Sequence, residues 1–151
     1  MLRPELTPPF VAESRLRELS QVIENIADVI RHGDGLAAGE AVTAFNKATG
    51  HTYTDYDFIS YNETRDLEEF AREAARPAWP KVADASRAEL IEIVRRIQAA
   101  DPELDYYLLL LGANTPHPRV ADLIFYPPAE LREGSAEDIV DAALSYQAIA
   151  L

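Results

Sequence analysis

"SRAELIEIVRRIQAADP", residues 86–102, decides how the chain is read. Ser86 and Glu89 stand three apart, the spacing of a capping box, in which a hydroxyl and a carboxylate each take an unpaired N–H at a helix start. Leu90, Ile91, Val94 and Ile97 then recur at helical spacing and form one apolar face. Asp101 followed by Pro102 is an N-cap with proline at the first helical position, so a second helix is expected from about Pro102 towards Asn114. Pro116 and Pro118 stop it. Ser135 with Asp138 repeats the box and opens a last helix, "AEDIVDAALSY", with Ile139, Val140, Ala143 and Leu144 inward. The run "RVADLIFYP" between the second and last helices has room for about two turns, so it needs neighbours to hold it. Residues 81–151 therefore read as a four-helix module with one very short member.

Working back towards the start, the proline-rich stretch "RPAWPKVADAS" breaks the periodicity and reads as a linker, with Trp79 pinning it to a core. Before it, residues 1–80 form a separate helical N-terminal region. After a proline-rich lead, Leu16, Leu19, Ile23, Ile26 and Ile30 make one apolar helix face that is closed by Gly33 and Gly35. "AAGEAVTAFNKATG" follows with Val42 and Phe45 inward and Gly50 as C-terminal cap. Thr54 and Asp57 are spaced as a capping box ahead of "DYDFISY", although its alternating aromatic residues suit an extended segment equally well. Thr64 is the expected N-cap of "RDLEEFAREAAR", with Leu67, Phe70, Ala71 and Ala74 buried. The fold class is all-α.

Composition narrows the function. Of 151 residues, 48% are hydrophobic and 26% charged, as in a globular protein. With 26 acids against 14 bases the net charge is −12, which repels nucleic acid and anionic membranes alike. The acids serve either solubility or attraction of a basic partner. Without cysteine there is no disulfide and no thiolate ligand. "MLRPELTPPF" lacks the charged end and apolar core of a signal peptide, and a cytoplasmic location is expected.

Within "HPRVADLIFYPP", residues 117–128, Ile124 shares a helical face with Val120 and Ala121, while Asp122, Phe125 and Tyr126 share another. Either the second face looks outward as an acid beside two rings, or the rings are core and Asp122 caps a turn. Leu108 to Leu111 raise a related choice, since four consecutive leucines cover every side of a helical turn. They are buried between packed halves, or some form an apolar partner site.

From Ser86 to about Tyr146 the sequence resembles the immunity proteins of the DNase-type colicins and pyocins. These are four-helix proteins that bind and neutralise a nuclease toxin made by the same cell. "HPRVADLIFYP" is similar to the family's His-Pro, three variable residues, then Asp-Leu-Ile-Tyr-Tyr-Pro. "SRAEL" and "SAEDIV" fall in the family's order. The resemblance implies that Asp122, Phe125, Tyr126 and Pro127 make the contacts shared across toxins. It implies that Asp101, Leu104, Asp105, Leu108 and Gly112, on the second helix, distinguish one toxin from another. By charge, Glu103 is expected to join Asp101 and Asp105 in governing association rate and partner choice. Phe125 stands where the family has a tyrosine, and Gly112 with Ala113 where it commonly has acids.

Chemistry of other kinds has weak support. His32, His51 and His117 are not at metal-binding spacings, and no phosphate loop or nucleophile elbow occurs. No metal or other cofactor is expected, and no catalytic residue. Asp55, Asp57 and Glu63 lack the glycine and ligand spacing of a calcium loop. The leading reading is a non-enzymatic immunity protein whose partner is a basic nuclease. The alternative is an acidic helical regulatory or scaffold protein for another basic partner, with the first half mediating self-association. An enzyme built on Asp55, Asp57 and Glu63 is third.

Overall fold

Eight α-helices and no strand form among residues 2–63 and 65–147, those described in the computed structural model. They are α1 (Glu13–His32), α2 (Gly35–Thr49), α3 (Asp55–Ser60), α4 (Leu67–Ala75), α5 (Arg87–Gln98), α6 (Leu104–Ala113), α7 (Val120–Phe125) and α8 (Ala136–Leu144). Short 3₁₀ turns occur at Pro4–Leu6, Tyr61–Glu63 and Ala129–Leu131. The fold class is all-α, as the sequence implies. The chain divides into two units, Pro9–Ala78 and Met1–Pro8 with Trp79–Leu151.

In the first unit α1 packs against α2, α3 and α4. Leu16, Leu19, Ile23 and Ile26 are buried along α1, and Ile30 is half-buried against the same core. Gly33 closes α1, but Gly35 opens α2 under an Asp34 cap whose carboxylate accepts the Ala37 N–H at 2.7 Å. Gly50 ends α2 at φ 78°, a left-handed conformation that costs glycine nothing. The Thr54–Asp57 box forms, and "DYDFIS" is helical rather than extended. The decisive difference is burial of one ring while its neighbour faces water: Phe58 is fully buried, with its ring 5.3 Å from Phe45 and 5.5 Å from Phe70, and Tyr56 is exposed.

Asp66 caps α4, its carboxylate accepting the Glu69 N–H at 2.8 Å. Thr64, the expected cap, lies outside the described residues. Tyr53 donates to Glu73 at 2.8 Å, and burial, with the Glu73 carboxylate beside it, pushes the phenol well above its ordinary range. Arg65 pairs with Glu73 and lies 4.4 Å from the centre of the Phe70 ring. The unit's two ends meet, because the Arg76 Nε donates to the Pro9 carbonyl at 3.0 Å.

In the second unit α5 packs on α6 and α8, and α7 on both of those. Leu90, Ile97, Leu110, Leu111 and Val140 are almost wholly inaccessible, and so is Ile93, which lies outside the apolar face read from the sequence. The capping boxes at Ser86 and Ser135 both form. Leu144, expected inward, is 40% exposed at the last position of α8.

Helix α5 ends in a Schellman turn: Ala100 adopts φ 57°, its N–H donates to the Ile97 carbonyl, and the Asp101 N–H to Arg96, at 3.0 and 3.1 Å. Helix α6 therefore starts at Leu104 rather than Pro102. The Asp101 carboxylate accepts the Glu103 N–H at 2.8 Å, and its carbonyl accepts the Leu104 N–H at 3.0 Å.

The linker is held by other groups than its tryptophan. Trp79 is 63% exposed, whereas Pro80 is buried and its carbonyl accepts from the Asn114 side chain at 3.1 Å. Asn114 also accepts the Val82 N–H at 2.8 Å. The amide at the end of α6 thus pairs both backbone groups, which an indole cannot do.

The segment Met1–Pro8, assigned from sequence to the N-terminal region, belongs to this second unit. Leu6 is fully buried and Leu2 nearly so in its core. Pro4 starts the 3₁₀ turn that aims Leu6 inward. The first unit is therefore an insertion between residues 8 and 79 of the second.

Candidate functional site

Helix α7 is six residues long and persists because Val120 and Leu123 are buried against neighbouring helices. Ile124 is half-buried on the same core, so Leu123 joins Val120 where the sequence reading had placed Ala121. The start of α7 is set by His117, whose Nδ1 accepts the Arg119 N–H at 3.0 Å while its ring lies 4.7 Å from Tyr146. The end is closed by the Tyr126 N–H donating to the Asp122 carbonyl at 2.9 Å. Pro127 and Pro128 then prevent continuation.

This anchoring leaves two rings outside. Phe125 is 47% exposed and Tyr126 81%, with Pro127 half-buried beside them. The Asp122 carboxylate is half-exposed and pairs with the Arg119 Nε at 3.2 Å. Arg119 is the site residue that sequence reasoning missed. Its signal was present, since positions 119 and 122 are three apart at a helix start.

Helix α6 lies against α7. Asp105 is exposed in its first turn; Asp101, Glu103, Leu104, Leu108 and Gly112 are half-buried. Leu104 and Leu108 lean on the unit's core and show only an edge. Leu110 and Leu111 are buried within this same unit, so the leucine run leaves no fully exposed member. A Cβ at Gly112 would meet nothing within 4 Å, so the position admits a side chain, whereas Ala113 is buried and does not admit an acid.

Ionic contacts elsewhere in the unit brace the scaffold. Arg96 donates to the Tyr107 hydroxyl at 2.7 Å, and Arg87 forks onto Asp141 at 2.7 and 2.9 Å. Those bonds to Arg87 hold the Asp141 carboxyl below its ordinary range.

The helices α5–α8 thus follow one another in the expected order, with two rings displayed after an aspartate. Residues 82–149 match the family model of colicin immunity protein / pyocin immunity protein. No curated protein and no solved structure matches the chain. The immunity-like segment takes in all four helices α5–α8 but neither the inserted unit nor Leu2 and Leu6, which complete its core. Leu2, Arg3 and Leu6 are thus additions to the immunity-like segment.

Asp55, Asp57 and Glu63 do not converge into such a site. Asp57 is committed to the Thr54 N–H at 2.8 Å, and among the described residues no group of three histidine or acidic side chains could hold a metal ion. No helix among them is long and apolar enough to cross a membrane.

Proposed function

We propose that this chain is an immunity protein that binds and inhibits a colicin- or pyocin-like nuclease toxin in the cytoplasm of the cell that makes it. Phe125, Tyr126 and Pro127 form the anchor, Asp122 its polar companion, and Asp101, Glu103, Leu104, Asp105, Leu108 and Gly112 the surface that selects the toxin. The protein catalyses no reaction.

The observation that carries this reading is the 81% exposure of Tyr126 at the end of a helix whose other side is fastened to the core. A large ring held in water by a proline-bounded helix gives the fold nothing, but it supplies a binding partner with much contact area at little entropic cost. The net charge of −12 complements the basic surface a nuclease needs to grip nucleic acid. Asp122 already has Arg119 as a partner, so a cation from the toxin exchanges with Arg119 instead of meeting a bare carboxylate.

The reading predicts that the adjacent gene encodes a colicin- or pyocin-like nuclease, and the test is co-expression with that nuclease. Co-purification, loss of nuclease activity and survival of the host support the reading. A toxin that neither binds nor loses activity in the presence of the purified chain overturns it.

A further inference from the structure

Helix α3 presents a second face of the same chemistry. Phe58 fastens it from within, and Thr54 with Asp57 caps its start. Outside, Tyr56, Ile59 and Glu63 recur at spacings of three and four along α3 and the 3₁₀ turn that continues it, and Asp55 adjoins Tyr56 in the first turn. Tyr56 is 65% and Ile59 38% exposed, and Asp55 and Glu63 are exposed as well. Among the described residues the Tyr56 hydroxyl has no hydrogen-bond partner. No lysine or arginine occurs between Lys47 and Arg65, and Arg65 is itself committed to Glu73 and the Phe70 ring.

We infer that Tyr56 and Ile59, flanked by Asp55 and Glu63, form a second contact surface for the basic toxin that α6 and α7 address. This rests on reading the chain as a toxin-binding protein. The choice of occupant follows from charge: a tyrosine and an isoleucine between two unneutralised acids fit a basic protein surface and disfavour a second copy of this acidic chain. The likeness to α7 reinforces it, since both are six-residue helices fastened from behind, with an exposed tyrosine near an acid, inside α3 and just after α7.

The experiment titrates the catalytically inactivated nuclease from the neighbouring gene with the full-length chain, Tyr56→Ala/Ile59→Ala, Asp55→Asn/Glu63→Gln and Tyr126→Ala. Thermal midpoints confirm that each variant is folded. The expected result is about tenfold weaker binding by Tyr56→Ala/Ile59→Ala, and slower association with a flatter salt dependence for Asp55→Asn/Glu63→Gln. Undiminished binding by both α3 variants while Tyr126→Ala is weakened overturns this inference and leaves the proposed function standing. Absence of binding by the wild-type chain overturns the proposed function. If sedimentation shows a wild-type dimer that Tyr56→Ala/Ile59→Ala converts to monomer, the surface belongs to a second copy and the inference fails.

Discussion

Arg3 grips Glu89 with two parallel hydrogen bonds, Nε to Oε2 at 2.7 Å and Nη2 to Oε1 at 3.0 Å, across 86 positions of sequence. The same guanidinium reaches Asp84 at 3.2 Å. Glu89 is also the acid of the Ser86 capping box, so the start of the chain is fastened to the first turn of α5 at the point where that helix is nucleated. Three residues on, Leu6 enters the core of the same unit.

Leu6→Ala should therefore destabilise the second unit by about 2–4 kcal/mol, the range for removing a fully buried leucine. Denaturation followed by amide resonances of α5–α8 reads this directly, with α1–α4 resonances as internal control. A fragment of residues 81–151 lacks Leu2 and Leu6 and should unfold at lower denaturant than the same fragment carrying residues 1–8 through a short linker. Equal midpoints would show that the core closes without them.

Arg3 and the Ser86 N–H hold the Glu89 carboxyl down to about 2, from an ordinary value of 4.5. A carboxyl depressed in the folded state contributes stability that is fully present above its unfolded value and is lost as pH falls through its folded value. Stability of the second unit should accordingly decline as pH drops from about 4.5 towards 2. Glu89→Gln should be less stable at neutral pH and show a shallower decline across that window, measured by denaturant midpoints at each pH.

Ala100 sits at φ 57° in the Schellman turn that ends α5, a conformation that crowds its Cβ. Ala100→Gly should raise stability by about 1 kcal/mol, because glycine enters the left-handed region freely and the turn's two hydrogen bonds are kept. A neutral or negative change in denaturation would mean that glycine's extra freedom in the unfolded chain outweighs the relief.

Local chemistry was legible from sequence and long-range docking was not. The boxes Ser86–Glu89, Thr54–Asp57 and Ser135–Asp138 join groups three residues apart, so their geometry is implied by spacing. The helix at "DYDFIS" was ambiguous because a six-residue aromatic run carries both periods, and only the arrival of Phe45 and Phe70 against Phe58 decides between them. The destination of Leu2 and Leu6 depends on a core built by α5–α8, far away in sequence, and no pattern inside "MLRPELTPPF" reports it. Trp79 misled for the opposite reason: its size argues for burial, but Pro80 and Asn114 already hold the linker. At the candidate site the pattern of Phe125 and Tyr126 suited either an outward face or a core, and only the family resemblance favoured the first; the three-residue spacing of Arg119 and Asp122 was present but gains meaning only once the helix is known to start at Val120.

The acids at the start of α6 should act on rate more than on lifetime. Asp101→Asn, Glu103→Gln and Asp105→Asn together should slow association with a basic nuclease several-fold at low salt and reduce its salt dependence. Asparagine at 101 keeps an acceptor for the Glu103 N–H, so the turn ahead of α6 survives the change. Stopped-flow association at two ionic strengths measures both effects, and an unchanged rate at low salt would remove steering from the account.

Tyr126 should carry the largest share of the binding free energy. Its ring is 81% exposed, so Tyr126→Ala removes almost no packing and should leave the thermal midpoint nearly unchanged. Binding to the nuclease should fall by about 2 kcal/mol or more, as is common when an interfacial tyrosine is truncated. Phe125 has no hydroxyl to share the polar work, so Tyr126→Phe should lose part of that affinity while keeping the ring's contact area. Arg119→Ala separates the role of Asp122 from that of the ring: it exposes the carboxylate to a cation from the toxin without an internal competitor, and binding should tighten modestly at low salt. Isothermal titration with the inactivated nuclease measures all three. A Tyr126→Ala protein that binds as the wild type does, at an unchanged thermal midpoint, would move the anchor elsewhere on the α6–α7 face.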